Sequence, residues 1–506
     1  MKILAALASS LVVVGIVAAN SSDHLAPASL FSDHAVLQCD QPVPIWGVAA
    51  PGSRVTVAHR GQTVSSLVGP DGKWTVTLAA LPATASGAAL VISSDRGESV
   101  TFADVVVGEV WLASGQSNME WPLQGAQDGA AVIAAADLPL VRELHVERSP
   151  ADQPASTVRT SGWRVAGPQH AGDFSAVGFF FARALSAGIK VPVGIIHSSW
   201  GGTEIESWLA EPVLRRAKAW PGFDQRWQEA LKVFPQKQAE YPALDAAWQK
   251  QEREWNATGK PFTMEWPHPP VGPGTAYAPG ALCNGMILPL APYALRGFLW
   301  YQGESNVPRA GEYAELLALM IRDWRARWGG AERPFLIVQL PNFSNGHPEG
   351  RDWAKFREAQ TRALALPNVT LAVNIDVGDA NDLHPPNKRP VGERLALIAE
   401  NQVYGRAGEW TGPVFQSATR SGAGMRVRFS HAADLVFHGQ PTAFEVAGAD
   451  HVFHVATARI DDRSVQVESP EVPEPVAVRY AWTNSPVASL FNGAGLPAAP
   501  FRSDDW

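Results

Sequence analysis

Cysteine is nearly missing from this chain. Only Cys39 and Cys283 occur in 506 residues, which excludes a disulfide framework or a cysteine-built metal cluster and leaves room for one disulfide at most. A basic excess is also missing. Lys and Arg number 41 against 49 Asp and Glu, a net charge of −8 with no long run of one sign. That is not the footprint of a nucleic-acid binder, and an anionic polymer would meet mild repulsion. Beyond the first nineteen residues no stretch approaches the roughly 18 uninterrupted apolar residues of a membrane span. Repeats and low-complexity tracts are absent. With 46% hydrophobic and 18% charged residues, the chain buries ordinary cores, which excludes wholesale disorder.

The N-terminus is the first positive signal. Met1-Lys2 form a minimal charged segment, and Ile3 to Ala19 is apolar apart from Ser9, Ser10 and Gly15. Val17-Ala18-Ala19 offers small residues for cleavage before the polar Asn20-Ser21-Ser22-Asp23-His24. Residues 1–19 therefore read as a signal peptide, and the mature protein is expected to be secreted or periplasmic and off the membrane.

The pattern then changes several times. Residues 25–104 carry short alternating runs such as Arg54-Val-Thr-Val57 and Lys73-Trp-Thr-Val-Thr-Leu78, separated by Pro51-Gly52 and Pro70-Asp71-Gly72. They predict a β-sandwich-like region. From residue 105 near-continuous apolar strands take over: Val105–Ala113, Val191–Ile196, Gly297–Tyr301, Phe335–Gln339 and Thr370–Asn374. Helical stretches lie between them, so 105–205 and 281–409 predict the two parts of one α/β layer with a mostly parallel sheet. Residues 206–280 interrupt that rhythm as a Trp- and Pro-rich insertion, helical up to Trp255. Short strands return over 410–506.

Chemistry is expected beyond the strand ends, where open α/β sheets bind ligands. Gly115-Gln116-Ser117-Asn118 follows the first long strand. A small residue before the serine permits a sharp turn, and the next N–H groups begin a helix facing an anion. Asp382-Leu383-His384-Pro385 offers a base and a carboxylate on a loop that Pro385 and Pro386 keep from continuing as helix. His197–Thr203 and Trp300–Asn306 follow two further strands, with paired glycines and neutral amides suited to a developing oxyanion.

Gly115-Gln-Ser-Asn118, Trp200-Gly-Gly-Thr203, Trp300-Tyr-Gln-Gly-Glu-Ser-Asn306 and Asp382-Leu-His-Pro385, in that order, resemble the sialate O-acetylesterase family. This is a branch of the SGNH hydrolases that includes bacterial polysaccharide acetylesterases. The resemblance extends to Leu30–Leu37 and Tyr480-Ala-Trp-Thr-Asn484. It implies an SGNH-hydrolase-like three-layer αβα domain flanked by the β-rich ends. It also implies Ser117 as nucleophile, His384 as general base and Asp382 as its orienting carboxylate. Many SGNH enzymes place that Asp three residues before the His, where this chain has Asn381, so Asp379 is the rival.

By the same resemblance the oxyanion hole is made by the Ser117 N–H, a Gly202 N–H and the Gln302 amide. Asn118, Trp200, Glu304 and Asn306 are expected around the substrate, with Asn306 a rival donor and Glu304 a brace. The implied reaction is hydrolysis of acetyl esters on a glycan, through an acyl-serine, without metal or organic cofactor.

Trp numbers 19 against 7 Tyr, and Trp208, Trp220, Trp227, Trp248, Trp255 and Trp266 lie in the insertion, where indole faces suit sugar rings. The acidic balance leans towards neutral sugars such as xylan or xyloglucan units over sialic acid. Two other classes compete. A glycoside hydrolase would use Glu304 with Asp376, Asp379 or Asp382, and a non-catalytic glycan-binding protein would use the β-rich ends and tryptophans alone.

Overall fold

The computed structural model describes residues 24–258, 266–344 and 346–506; the signal segment 1–19 lies outside them. The chain divides into two units. The smaller one comprises the residues up to Ala28, Pro44–Leu78 and Ala89–Thr101. Its strands alternate buried and exposed residues, as in Arg54–His59 and Lys73–Leu78. Arg54–His59 pairs antiparallel with Gln62–Leu67 on one side and with Thr84–Ser94 on the other. Ala26–Pro27, Val43–Val48 and Lys73–Leu78 form a second, three-stranded sheet. The opening expected over 25–104 is divided between the units: Ser29–Val43 and Ala79–Ala88 belong to the larger one.

Seven strands carry the larger unit: β1 (Ser99–Gly115), β2 (Leu138–His145), β3 (Trp163–Ala166), β4 (Val193–Ser199), β5 (Gly297–Tyr301), β6 (Phe335–Val338) and β7 (Val369–Ala372). Their order is β3-β2-β4-β1-β5-β6-β7. All neighbours are parallel except β3, which runs antiparallel at the edge. The central runs Val105–Ala113, Gly297–Tyr301 and Phe335–Val338 are almost wholly apolar because both faces are covered, whereas Arg142, Glu143, His145 and His197 interrupt β2 and β4. On one face Trp111 of β1 meets Phe181 of a helix at Ala176–Ile189, edge to face at 5.3 Å. On the other, Phe298 and Trp300 of β5 meet Trp324 of a helix at Ala310–Arg327, at 5.8 and 5.5 Å.

The insertion forms short helices at Ile205–Trp208 and Glu211–Leu214, then one of 39 residues at Trp220–Thr258 that carries Pro235 and Pro242 inside it. The C-terminal strands make two four-stranded sheets around a core that includes Val427, Phe444, Val465 and Tyr480. They do not stand apart from the α/β layer. Arg351 pairs with both oxygens of Glu445 at 2.9 Å, and buried Arg357 donates to the carbonyls of Thr483 and Asn484. Cys39 and Cys283 are both buried and free, so the one disulfide the sequence allowed is not formed. Among the described residues no helix is long and apolar enough to cross a membrane.

Candidate active site

The site forms where β1, β4 and β5 end side by side. Ser199 of β4 and Tyr301 of β5 both pair with Gly115 of β1. Gly115 has φ +141°, and a Cβ there would lie 2.0 Å from the Tyr301 carbonyl oxygen. Only glycine permits so close a contact. The Gln116 N–H donates to that same carbonyl at 3.0 Å, and its side-chain oxygen accepts the Gly303 N–H at 3.1 Å. The chain then turns into a single helical turn, Ser117–Glu120, which leaves Ser117 on the rim, half-buried.

His384 reaches this serine from 267 residues away in sequence: its Nε2 lies 2.8 Å from Ser117 Oγ. Trp121, one turn after the serine, stacks on the imidazole with centroids 5.4 Å apart and planes 18° apart. Burial and the nearby Lys388 ammonium hold the His384 pKa below its ordinary value, while the Asp382 carboxylate pulls it up. Asp382 is exposed, and its Oδ1 accepts the backbone N–H of His384 at 2.8 Å. The ring-to-carboxylate bond expected from the resemblance is thus replaced by a turn that fixes the loop. Asp379 holds the Asn381 N–H at 2.8 Å in the same way. Asp382 is the one of the two whose charge the imidazole feels.

Two of the expected oxyanion donors are open. The N–H groups of Ser117 and Gly202 have no partner among the described residues. The Gly201 N–H, by contrast, donates to Glu120 Oε2 at 2.8 Å, which singles out Gly202 of the glycine pair. The pair lies against the serine, since a Cβ on Gly201 would sit 3.1 Å from Ser117 Cβ.

The third expected donor requires correction. Gln302 is fully buried, and its amide N–H groups donate to Thr203 O at 3.1 Å and Asn306 Oδ1 at 2.8 Å, while its oxygen accepts from Tyr313. Both N–H groups are spent, so Gln302 braces the glycine loop and does not face an oxyanion.

Asn306 and Asn118 are corrected for the same reason. Asn306, 1% exposed, accepts the Ile205 N–H and donates to Glu206. Asn118, also 1% exposed, donates to Glu304 and to the Leu383 carbonyl, and accepts from Lys388. They join loops rather than touch a substrate. Glu304 is buried against Asn118 with its pKa raised by burial, the brace the sequence suggested. Trp200 is half-buried on the rim, with the Arg148 guanidinium 5.5 Å from its ring centroid. Of the carboxylates a glycoside hydrolase would use, Glu304 accepts from Asn118, Asp376 is paired with Arg394 through two 2.7 Å bonds, and Asp379 and Asp382 accept backbone N–H groups of their own loop.

Sequence reasoning missed Lys388. A lysine just before a helix reads as a surface charge, yet this one is 1% exposed, and burial lowers its pKa to about 7. It also missed Tyr277 and the placement of Trp266, which border Gly202: a Cβ there would lie 3.3 Å from the Trp266 ring and 3.5 Å from the Tyr277 hydroxyl. Only the three-dimensional path of the insertion brings them there.

The chain resembles known proteins along most of its length. Residues 286–400, which include Gln302 and His384, match the family model for carbohydrate esterase, sialic acid-specific acetylesterase. Sialate O-acetylesterase of Rattus norvegicus is 29% identical and that of Homo sapiens 27%, each over 94% of this chain and over 94% and 91% of the relative. A solved carbohydrate acetylesterase from Xanthomonas citri is 38% identical, with a TM-score of 0.80 over 95% of this chain and 100% of that one. A serine and a histidine joined at the strand ends, in a chain matched along nearly its whole length, leave one conclusion: this protein belongs to the sialate O-acetylesterase family and is a carbohydrate esterase.

Proposed function

We propose that the protein is an exported acetylesterase that removes acetyl groups from neutral polysaccharide such as xylan or xyloglucan units, with Ser117 as nucleophile and His384 as base. His384 Nε2 takes the Ser117 proton as Oγ attacks the ester carbonyl carbon. The tetrahedral oxyanion is met by the Ser117 and Gly202 N–H groups, each worth roughly 3–4 kcal/mol in a formed hole. Collapse expels the sugar alcohol, which takes the proton from His384. Water then repeats the sequence on the acyl-serine and frees acetate. Helices against both faces of the sheet support reading this layer as the three-layer αβα arrangement of SGNH hydrolases. The apolar segment 3–19 supports export.

The observation that carries the preference for neutral sugar is the state of the cations around the site. A sialic acid carboxylate calls for an unpaired cation. Arg148 beside Trp200 is held by Glu120 through bonds of 2.8 and 2.7 Å, Arg309 is held by Glu204 at 2.6 Å, and Lys388 is buried. Trp266, exposed next to Gly202, together with Trp200 and Trp121 supplies aromatic faces for uncharged rings.

The test is acetate release from acetylated xylan, acetylated xyloglucan oligosaccharides and O-acetylated sialic acid, with Ser117→Ala as control. Faster turnover of a neutral glycan, abolished on the order of 10⁶-fold in the variant, is expected. Preference for the sialic acid ester would overturn the substrate assignment. Full activity in Ser117→Ala would overturn the nucleophile.

A further inference from the structure

Away from the esterase pair, three side chains of β2 and β4 close on a single point. The two strands run parallel with His145 opposite His197, and Glu143 stands two residues before His145 on the same face. His145 Nδ1 lies 3.2 Å from His197 Nδ1, and Glu143 Oε1 lies 3.4 Å from His197 Nδ1. The three ligand atoms are all within 4.8 Å of one another.

The two imidazoles meet in a bent hydrogen bond, their planes 62° apart, and the same bend opens a coordination position between them. Two imidazoles joined by a straight N–H···N bond of this length would have centroids about 5.5 Å apart, the nitrogen separation plus two ring radii. These centroids are 5.0 Å apart. The ring axes are therefore tilted off the line between the nitrogens, and an equal tilt towards one point would place that point about 2 Å beyond each nitrogen, the length of a zinc–imidazole bond. A tetrahedron with such bonds has edges of about 3.3 Å, which matches the 3.2 and 3.4 Å separations.

The surroundings agree. His197 Nε2 lies 2.6 Å from Ser199 Oγ, a hydroxyl able to accept the Nε2 proton when Nδ1 coordinates an ion, the usual outer support of a histidine ligand. Both Glu143 oxygens are held by the Ser175 N–H at 3.3 and 3.2 Å. Arg148 and Arg164 lie near His145 and oppose a cation, but Arg148 is paired with Glu120 and Arg164 faces Asp173 at 3.8 Å. His145 is only half-buried, which gives an ion a way in.

We propose that Glu143, His145 and His197 bind one divalent first-row cation of the zinc class, with water completing the tetrahedron. Its place is structural: it ties the ends of two strands together, three residues before the Trp200-Gly201-Gly202 turn.

The full chain, stripped with a chelator and titrated with zinc sulfate, tests this. Metal content after desalting should reach about one zinc per chain, and the thermal midpoint should rise by a few degrees at saturating zinc. Both effects should vanish in His145→Ala and persist in Ser117→Ala. Zinc lost on desalting, or zinc and the shift retained in His145→Ala, overturns the site. Zinc-soaked crystals of the unaltered protein give an answer independent of variant folding: an anomalous peak among the three side chains is expected, and no peak there overturns the proposal.

Discussion

Lys388 Nζ donates to Asn118 Oδ1, so a buried amine at the foot of the His384 loop holds the residue that follows the nucleophile. One side chain thereby couples the two loops that meet at Ser117, and its charge lowers the pKa of His384.

Lys388→Met removes that charge, and an imidazolium without a cation beside it is easier to form. The pKa of His384 should rise towards the ordinary histidine value near 6.5. In kcat/KM against pH on an aryl acetate, the acid limb of the unaltered enzyme should lie below that value, and the limb of the variant should move up. Activity near pH 5.5 then suffers more than activity near pH 8. An unmoved limb would deny Lys388 this tuning role.

Asp382→Asn works in the opposite direction. The amide oxygen still accepts the His384 N–H, so the loop keeps its turn, but the charge that raises the imidazole pKa is gone. The acid limb should move to lower pH and kcat should fall, whereas Asp379→Asn should leave both in place. Equal effects of the two substitutions in a paired pH–rate comparison would deny Asp382 its special place.

Gln302→Met separates a brace from an oxyanion donor. Thr203 O would be left unpaired, at about 1–3 kcal/mol for a buried group, while Asn306 Oδ1 keeps the Ile205 N–H and the Tyr313 hydroxyl keeps the Gln302 carbonyl. The midpoint in chemical denaturation should drop sharply. A drop of about 10²–10³-fold in kcat with unchanged stability would instead mark an oxyanion donor.

Trp266→Ala probes the rim. The indole borders Gly202 and is exposed, so its loss should raise KM for an acetylated polysaccharide while kcat/KM for a small aryl acetate stays within about twofold. Equal losses on both substrates would place Trp266 in support of the glycine loop rather than in sugar contact.

Much of this was legible in the sequence because parallel strands with both faces covered leave continuous apolar runs, and the chemistry follows each run at a predictable end. Ser117 stands at such an end and His384 meets it there, while their roles and that of Gly202 are what the family resemblance implies. Gln302, Asn118 and Asn306 were assigned to the right loops but the wrong work. A neutral amide at a strand end has the same spelling whether it faces a ligand or a neighbouring backbone, and only burial decides. The burial of Lys388 and the placement of Trp266 beside Gly202 lie beyond reach for a related reason. Nothing local distinguishes a buried lysine from a solvated one, or tells where a long insertion returns.

The contact of Gly115 with the Tyr301 carbonyl has an engineering corollary. Because the hydroxyl's position is dictated by two adjoining strands rather than by its own loop, the reactive centre is anchored in the part of the molecule least tolerant of change. Trp121 and Trp200 belong to the strand-end loops themselves, while part of the aromatic border, Trp266 and Tyr277, comes from the insertion. Swapping that segment between relatives should therefore retarget the enzyme to other acetylated sugars while the bond-breaking apparatus stays put.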